Sequence, residues 1–243
     1  MLRYLIYIIF LTLLGLLSCQ KISPAPQADQ QTKVMPAADP DKVDQYRYLA
    51  LGDSYTIGES VPEADRWGVQ LSGLLRAQGR DVGNPTTIAT TGWTTAELAQ
   101  AIAAAQLPPA FDLVSLLIGV NNQYRGQSVA LYRQEFRDLL ATATRLARQD
   151  PARVLVLSIP DWGVTPFAQG RDRQQIARDI DAFNAVARAE TQKAGIVFID
   201  ITPLSRSLGL DLAYLASDQL HYSGKMHAAW ARLALPAAEK ILK

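Results

Sequence analysis

The chain has 243 residues, a formal net charge of +1 and a hydrophobic content of 49%. This apolar content can fill a sizeable core, and the length allows one large domain or two small ones. No long basic run is present, which argues against nucleic acid as a partner. Cys19 is the single cysteine of the sequence, so an internal disulfide is excluded.

The first residues have the pattern of a secretory signal. An apolar run from Tyr4 to Leu17 is shorter than the roughly 18–20 residues of a transmembrane helix. The stretch "LLSC" that ends at Cys19 resembles a bacterial lipobox. This resemblance implies cleavage before Cys19, lipidation of its thiol and attachment to a membrane of the bacterial cell envelope. Gln20 stands where an aspartate would signal inner-membrane retention, which favours the outer membrane. An uncleaved anchor, or a plain signal peptide with an incidental cysteine, is the alternative.

The sequence therefore predicts three parts. Residues 1–18 form the signal peptide, residues 19–45 the lipidated cysteine with a linker, and residues 46–243 the folded domain. The linker is rich in Pro, Ala, Gln and Asp and has few large apolar residues, a composition typical of a disordered tether. The remaining length of about 200 residues is common for one domain.

Apolar, β-prone runs alternate with helical patterns along the domain. In chain order, the predicted strands are "YRYLAL", "TTIAT", "FDLVSLLIG", "RVLVLSI" and "IVFID". The segments between them have apolar residues every three or four positions, and a last helix follows in "SGKMHAAWARLAL", with Met226, Trp230 and Leu233 on one stripe. This alternation predicts an α/β fold, a three-layer α/β/α sandwich with a flavodoxin-like five-stranded parallel sheet of order 2-1-3-4-5.

Small and polar residues follow the predicted strands. In chain order they are Ser54 in "GDSY", Gly92 and Trp93 in "TTGWTT", Asn121 and Asn122 in "GVNNQ", Asp161 and Trp162 in "PDWG", and Asp218 and His221 in "DQLH". Ligands of such sheets bind beyond the carboxyl ends of the strands. The sequence therefore predicts a site built from these segments.

A nucleophilic serine and its base can be chosen from these residues. A serine hydroxyl needs a base, and the chain has two histidines. His221 lies three residues after Asp218, whose carboxylate can accept a hydrogen bond from the imidazole. His227 falls on the last predicted helix and is interpreted as a surface or boundary residue. By itself, a serine after a strand such as Ser54 is usually a turn residue or a helix cap, whereas His221 is equally compatible with a base and with a loop residue. Asp53 is interpreted as a turn or cap residue.

Four blocks in the right order resemble the SGNH/GDSL hydrolases: "GDSY", Gly92 in "TTGWTT", Asn121 in "GVNN", and "DQLH". They extend from about Leu49 to Ser223. The resemblance implies that Ser54 is the nucleophile, His221 the base and Asp218 the acid that orients it. It also implies an oxyanion hole formed by the backbone N–H groups of Ser54 and Gly92 and the side chain of Asn121. One position departs from the family pattern, because Asn122 stands where an aspartate is usual.

The resemblance implies a serine esterase that works through an acyl-enzyme and needs no cofactor or metal. A short acyl ester, a lysophospholipid or an O-acetylated glycan is the expected substrate. An O-acetyl esterase specific for polysaccharide or peptidoglycan is an alternative. Another is a catalytically silent lipoprotein that binds glycan or lipid. Trp93 and Trp162 are interpreted either as walls of the substrate site or as core aromatics at the sheet edge.

Overall fold

Five parallel strands form the centre of the protein in the computed structural model, which describes residues 45–243. The strands are β1 (Tyr48–Gly52), β2 (Thr86–Ala89), β3 (Leu113–Leu117), β4 (Val154–Leu157) and β5 (Val197–Ile199). Their order in the sheet is β2-β1-β3-β4-β5, as the sequence predicts. All residues of β1, β3 and β4 are buried, which explains why these strands are almost continuously apolar.

Helices flank the sheet. Within residues 45–243 they are α1 (Ser54–Ile57), α2 (Trp67–Ala77), α3 (Thr95–Ala105), α4 (Val120–Tyr124), α5 (Val129–Leu146), α6 (Arg173–Lys193), α7 (Thr202–Leu208) and α8 (Gly224–Ile241). Helix α2 packs against α8, and α5 packs against α3 and α6. The predicted α/β sandwich is thus confirmed. The short helices α1, α4 and α7 were not predicted, because four to seven residues are too few for a periodic pattern.

The last helix differs from its prediction in two respects. Leu233 is 44% exposed, although Met226 and Trp230 are fully buried. The buried face continues through the alanines at 231, 234 and 238, and Leu233 lies roughly 100° from its centre at 100° per residue. The helix also continues through Pro236, which is exposed, so the carbonyl that lacks an N–H partner can be hydrated.

The strand register brings the carboxyl ends of three strands to one level. Gly52, the last residue of β1, pairs with Ala89 of β2 on one side and with Leu117 of β3 on the other. A Cβ atom on Gly52 would lie 2.1 Å from Thr56 Oγ1 and 2.4 Å from the Leu117 carbonyl oxygen. The tight turn from β1 into α1 therefore requires glycine at this position.

The predicted signal peptide and the linker up to residue 44 lie outside the described residues, and so does Cys19. Among residues 45–243, every helix is too short or too polar to cross a membrane.

Candidate active site

A cavity of about 190 Å³ lies where the polar segments leave the carboxyl edge of the sheet. It is lined by Ser54, Tyr55, Val120, Asn121, Tyr124, Trp162, Phe167, Leu220 and His221. Four of the five segments that follow the predicted strands contribute to this lining. The structure therefore brings together residues that are separated by up to 167 positions in the sequence, from Ser54 to His221.

Ser54 is positioned by the turn from β1 into α1. It is the first residue of α1 and is 4% exposed. Its carbonyl oxygen accepts hydrogen bonds from the N–H groups of Gly58 and Glu59 at 3.0 Å, which fix the backbone of this turn. An N–H group in the first turn of a helix has no partner within the helix. The backbone N–H of Ser54 is therefore available to a ligand.

Asp53 caps this helix, as expected from its position. Its Oδ1 accepts a hydrogen bond from the Tyr55 N–H at 3.0 Å. The side chain is fully buried, and Oδ2 has no hydrogen-bond partner among the described residues. Burial raises the pKa of Asp53 to about 7, even though the backbone hydrogen bonds lower it. A carboxyl with this pKa is largely protonated in weakly acidic solution.

Asp218 and His221 form a hydrogen-bonded pair in the loop before α8. The distance from His221 Nδ1 to Asp218 Oδ2 is 2.6 Å. Asp218 Oδ1 also accepts from the backbone N–H groups of Leu220 at 3.0 Å and His221 at 2.9 Å. Burial alone would raise the pKa of Asp218, but the hydrogen bonds from His221 and from the two N–H groups outweigh it and lower the pKa to about 2. Asp218 is consequently an anion at neutral pH.

Two contacts from the α1 region hold this pair. Ser60 Oγ donates to Asp218 Oδ2 at 3.0 Å, from a backbone with φ of +60°. The ring of Tyr55 meets the His221 ring edge-on, with 5.8 Å between centroids. The imidazole therefore lies against the residue that follows Ser54. Within the described residues no hydrogen bond joins Ser54 to His221, although both line the cavity.

Gly92 and Asn121 are connected through the turn between β2 and α3. Asn121 Nδ2 donates to the Trp93 carbonyl oxygen at 2.9 Å, which uses one of the two hydrogens of the amide and leaves the other for a ligand. Gly92 has φ of +87°, a left-handed conformation that favours glycine. Its carbonyl accepts from Arg125 Nη2 at 2.5 Å, and Arg125 also pairs with Glu97 at 3.2 Å. Arg125 thus fixes the peptide that follows Gly92.

Asn122 is fully buried and joins α4 to the start of α3. Its Oδ1 accepts from the Thr95 N–H at 3.1 Å. Its Nδ2 donates to Thr95 Oγ1 at 2.6 Å and to Gln127 Oε1 at 2.8 Å. The side chain therefore supports the segment that carries Asn121.

The two tryptophans have different positions. Trp162 lines the cavity, is 3% exposed, and donates from Nε1 to Gln123 Oε1 at 2.8 Å. Trp93 is partly buried against the core and is not among the residues that line the cavity. It contributes its backbone carbonyl to the contact with Asn121. Both interpretations of Trp162 are compatible with its place, because it belongs to the core and to the cavity wall.

His227 is not a surface or boundary residue, contrary to its interpretation from the sequence. It is 1% exposed, and its Nδ1 accepts a hydrogen bond from the Trp67 N–H at 3.1 Å. Burial, together with the nearby His221, lowers the pKa of His227 to about 3. His227 is therefore neutral and links α8 to the start of α2. The sequence pattern does not reveal this burial, because the predicted apolar stripe of α8 is centred closer to Leu233 than the face that is actually buried.

The sequence reasoning also missed several residues near the predicted ones. Tyr55, Val120, Tyr124, Phe167 and Leu220 line the cavity, while Ser60 and Arg125 hold its polar groups. Most of the lining residues adjoin the motif residues, so proximity along the chain was an available signal. Ser60 and Arg125 had no such signal. In the described part of the chain, no group of three His, Cys, Asp or Glu side chains could hold a metal ion.

Residues 50–229 match the family model described as the GDSL-like Lipase/Acylhydrolase family. A search of curated proteins gave no significant match. The fold is similar to that of TesA, with a TM-score of 0.61, 20% identity, and coverage of 81% of this chain and 99% of that chain. It is also similar to Axe2, an acetylxylan esterase from Geobacillus stearothermophilus, with a TM-score of 0.60, 21% identity, and coverage of 80% and 94%. A third similar structure is the lipase/acylhydrolase from Enterococcus faecalis, with a TM-score of 0.61, 21% identity, and coverage of 82% of this chain and 97% of that chain.

The fold and the family match together define a hydrolase of ester bonds. Because the matched region covers well over half of the chain, the protein belongs to the GDSL-like lipase/acylhydrolase family.

The raised pKa of Asp53 predicts a pH-dependent effect of Asp53→Asn. The raised value means that the folded state favours the protonated carboxyl, so the associated stability is present below pH about 4 and is lost as the pH rises through about 7. Asparagine can keep the cap without a charge. Relative to the wild type, the variant should therefore gain about 2–3 kcal/mol in free energy of unfolding between pH 5 and pH 8. Denaturant unfolding at both pH values measures this gain.

Asp211→Asn is the matched control. Asp211 caps a short turn with the same spacing, accepting from the Ala213 N–H at 2.9 Å, but it is exposed. Its substitution should leave the difference from the wild type independent of pH. If the free energy of unfolding of Asp53→Asn also differed from the wild type by the same amount at both pH values, the assignment of a raised pKa to Asp53 would be contradicted.

Proposed function

We propose that this hydrolase is a serine esterase, with Ser54 as nucleophile, His221 as general base and Asp218 as the residue that orients the imidazole. The observation that carries this proposal is the presence of Ser54, Asn121 and His221 around one cavity, with His221 hydrogen-bonded to the ionised Asp218. A hydroxyl, an imidazole and a carboxylate in this relation form the usual machinery of acyl transfer.

In the first step, His221 Nε2 takes the hydroxyl proton while Ser54 Oγ bonds to the ester carbonyl carbon. Because Nδ1 faces Asp218, the resulting imidazolium is stabilised by a carboxylate whose low pKa keeps it charged. The imidazolium then protonates the leaving alcohol as the ester C–O bond breaks, which yields an acyl-enzyme. Water, deprotonated by His221, hydrolyses this intermediate and restores the serine.

The negative charge on the carbonyl oxygen requires hydrogen-bond donors. We assign this role to the backbone N–H groups of Ser54 and Gly92 and to the second N–H of the Asn121 amide. The bond from Asn121 to Trp93 supports this assignment, because it holds the amide donor before the reaction begins, and Arg125 holds the neighbouring Gly92 carbonyl. Preorganised donors of this kind stabilise the transition state more than the substrate.

A short acyl group is the substrate element that the cavity favours. Its volume of about 190 Å³ is below the roughly 300–1,000 Å³ of pockets that enclose drug-sized ligands. An acetyl ester fits this size better than the long chain of a lysophospholipid. The fold similarity to a protein described as an acetylxylan esterase is compatible with an acetylated substrate.

We further propose that the mature protein is attached to the bacterial outer membrane through lipid on Cys19. The support is the lipobox-like "LLSC" stretch and the apolar run that precedes it. The composition of residues 20–42 suits a tether between the lipid and the domain. Such an enzyme would act on esters of the cell envelope or its surroundings.

The first test is covalent labelling of Ser54. A fluorophosphonate probe should label the wild type but not Ser54→Ala. The kcat of this variant on p-nitrophenyl acetate should be lower by about 10³-fold or more. In a panel of p-nitrophenyl esters, kcat/KM should fall from acetate to octanoate. Ser207→Ala, at an exposed serine of α7, is the control and should retain labelling and turnover. A folded wild type without label would contradict the proposal.

The two histidines should separate catalysis from stability. His221→Ala should lower kcat by about 10³-fold or more and change the free energy of unfolding little. His227→Ala leaves the Trp67 N–H without its acceptor, and should lower the free energy of unfolding by about 1–3 kcal/mol while kcat at low temperature is retained. Steady-state kinetics and thermal unfolding of both variants measure these effects. The opposite pattern would mean that the base is wrongly assigned.

Lipidation is tested in cells. The wild type should incorporate an alkyne-labelled fatty acid and fractionate with membranes, whereas Cys19→Ala should lose the label and leave the membrane or accumulate as the precursor. A Ser18→Ala variant, which keeps the cysteine, is the control. A wild type that takes up no label and keeps its N-terminal segment in the membrane fraction would instead support an uncleaved anchor.

A further inference from the structure

An arginine that takes no part in the proposed chemistry lies over the aromatic side of the cavity. The Cζ atom of Arg171 is 5.3 Å from the ring centroids of Tyr124 and Trp162 and 5.2 Å from that of Phe167. Its Nη2 donates to the Tyr124 hydroxyl at 3.2 Å. All three rings line the same cavity as Ser54. The guanidinium is therefore attached to the wall of the candidate active site.

The arginine lies at the mouth of the cavity, in contact with solvent. Tyr124 is 48% exposed and Phe167 39% exposed, whereas Trp162 is buried behind them. Arg171 itself is exposed. Phe167 is tied to the loop of the catalytic histidine, because its N–H donates to the Gln219 carbonyl at 3.2 Å. A substrate bound at Ser54 would extend past these rings as it leaves the cavity.

The charge of Arg171 is not compensated within the described part of the chain. No Asp or Glu oxygen of residues 45–243 lies within 4.0 Å of its guanidinium nitrogens. The neighbouring Asp172 is engaged as the cap of α6, where it accepts from the Gln175 N–H at 2.9 Å. Asp161, next to Trp162, is paired with Arg206 at 2.9 Å. The acids around this side of the cavity thus have other partners.

The arrangement leaves the guanidinium able to bind an anion. The guanidinium carries five N–H donors, and the ring faces that it contacts offer them no oxygen acceptor. One of these donors is used by Tyr124. A planar fork of donors matches a carboxylate or a phosphate, and rings that already hold the side chain reduce the entropy lost on binding.

We propose that Arg171 binds an anionic group on the alcohol part of the substrate, so that the preferred substrates are short-chain esters of acidic alcohols. This proposal rests on the proposed esterase function, in which the acyl group occupies the cavity. The anion is a carboxylate, as on an acidic sugar, or a phosphate, as on a phosphorylated alcohol. The alternative is that Arg171 only packs on the three rings.

Three acetyl esters with similar shapes separate these possibilities: 3-acetoxybenzoate, 3-acetoxyphenyl phosphate and the neutral 3-acetoxybenzamide. Arg171→Gln should lower kcat/KM about tenfold for the preferred anion, mainly through KM, and less than twofold for the amide. Arg171→Lys keeps the charge without the planar fork and should be intermediate. Rising NaCl should reduce kcat/KM for the anions and leave the amide unchanged. The larger of the two anion effects identifies the carboxylate or the phosphate.

Arg232→Gln is the control for a change in net charge, because Arg232 is exposed on α8 and does not line the cavity. Arg232→Gln should leave kcat/KM for all three esters within twofold of the wild type. An equal loss for charged and neutral esters in Arg171→Gln would show a packing role and overturn the proposal. Unchanged kinetics for all three esters would overturn it as well.

Binding to Ser54→Ala makes the anion site measurable without hydrolysis. Calorimetric titration with the preferred anionic ester should give a Kd about tenfold lower in Ser54→Ala than in the double variant with Arg171→Gln. If the wild type fails to react with the fluorophosphonate but this difference is found, the esterase proposal fails and the anion site stands. If the wild type hydrolyses the esters but the difference is absent, the anion site fails and the esterase stands.

Discussion

The candidate site depends on the register of β1, β2 and β3, because this register ends all three strands at the same level of the sheet. Gly52 pairs with Ala89 and with Leu117, so three chains leave the sheet at the same height. Ser54, Gly92 and Asn121 follow these ends within two to four residues. A slip of one residue in a parallel pair would turn every side chain to the other face of the sheet. The backbone ladder therefore determines where the proposed oxyanion donors lie, and all residues of β1 and β3 within it are buried.

The histidine side of the site is held differently, by local hydrogen bonds rather than by the sheet. Asp218 accepts two backbone N–H groups of its own loop as well as the imidazole. These hydrogen bonds close residues 218–221 into a turn, and the position of His221 relative to Asp218 is set within that turn. Ser60 and Tyr55 then connect the turn to the segment that carries Ser54. The proposed nucleophile and the proposed base thus belong to two separately stabilised units that meet across one cavity.

This division explains what the sequence could predict. Strand order and the long helices follow from periodic patterns, and the Asp218–His221 pair follows from a spacing of three residues. The burial of His227 and the exposure of Leu233 depend on the phase of α8, which its many alanines leave poorly defined. Ser60 contacts Asp218 across 158 positions, and no local pattern encodes such a contact. The short helices and the position of Arg171 over three rings likewise arise only when distant segments pack together.

Asn122 illustrates how a departure from the family pattern can be accommodated by its surroundings. Its amide donates two hydrogen bonds, to Thr95 Oγ1 and Gln127 Oε1, and a carboxylate could make neither. Thr95 Oγ1 in turn donates to Glu135, so an aspartate at this buried position would face a second carboxylate across one hydroxyl. The partners are therefore matched to a neutral amide, which also avoids the cost of a buried charge. The amide of Asn121, the proposed oxyanion donor, is bonded to the Trp93 carbonyl and to none of these groups, so the exchange bears directly on the attachment of α4 to α3.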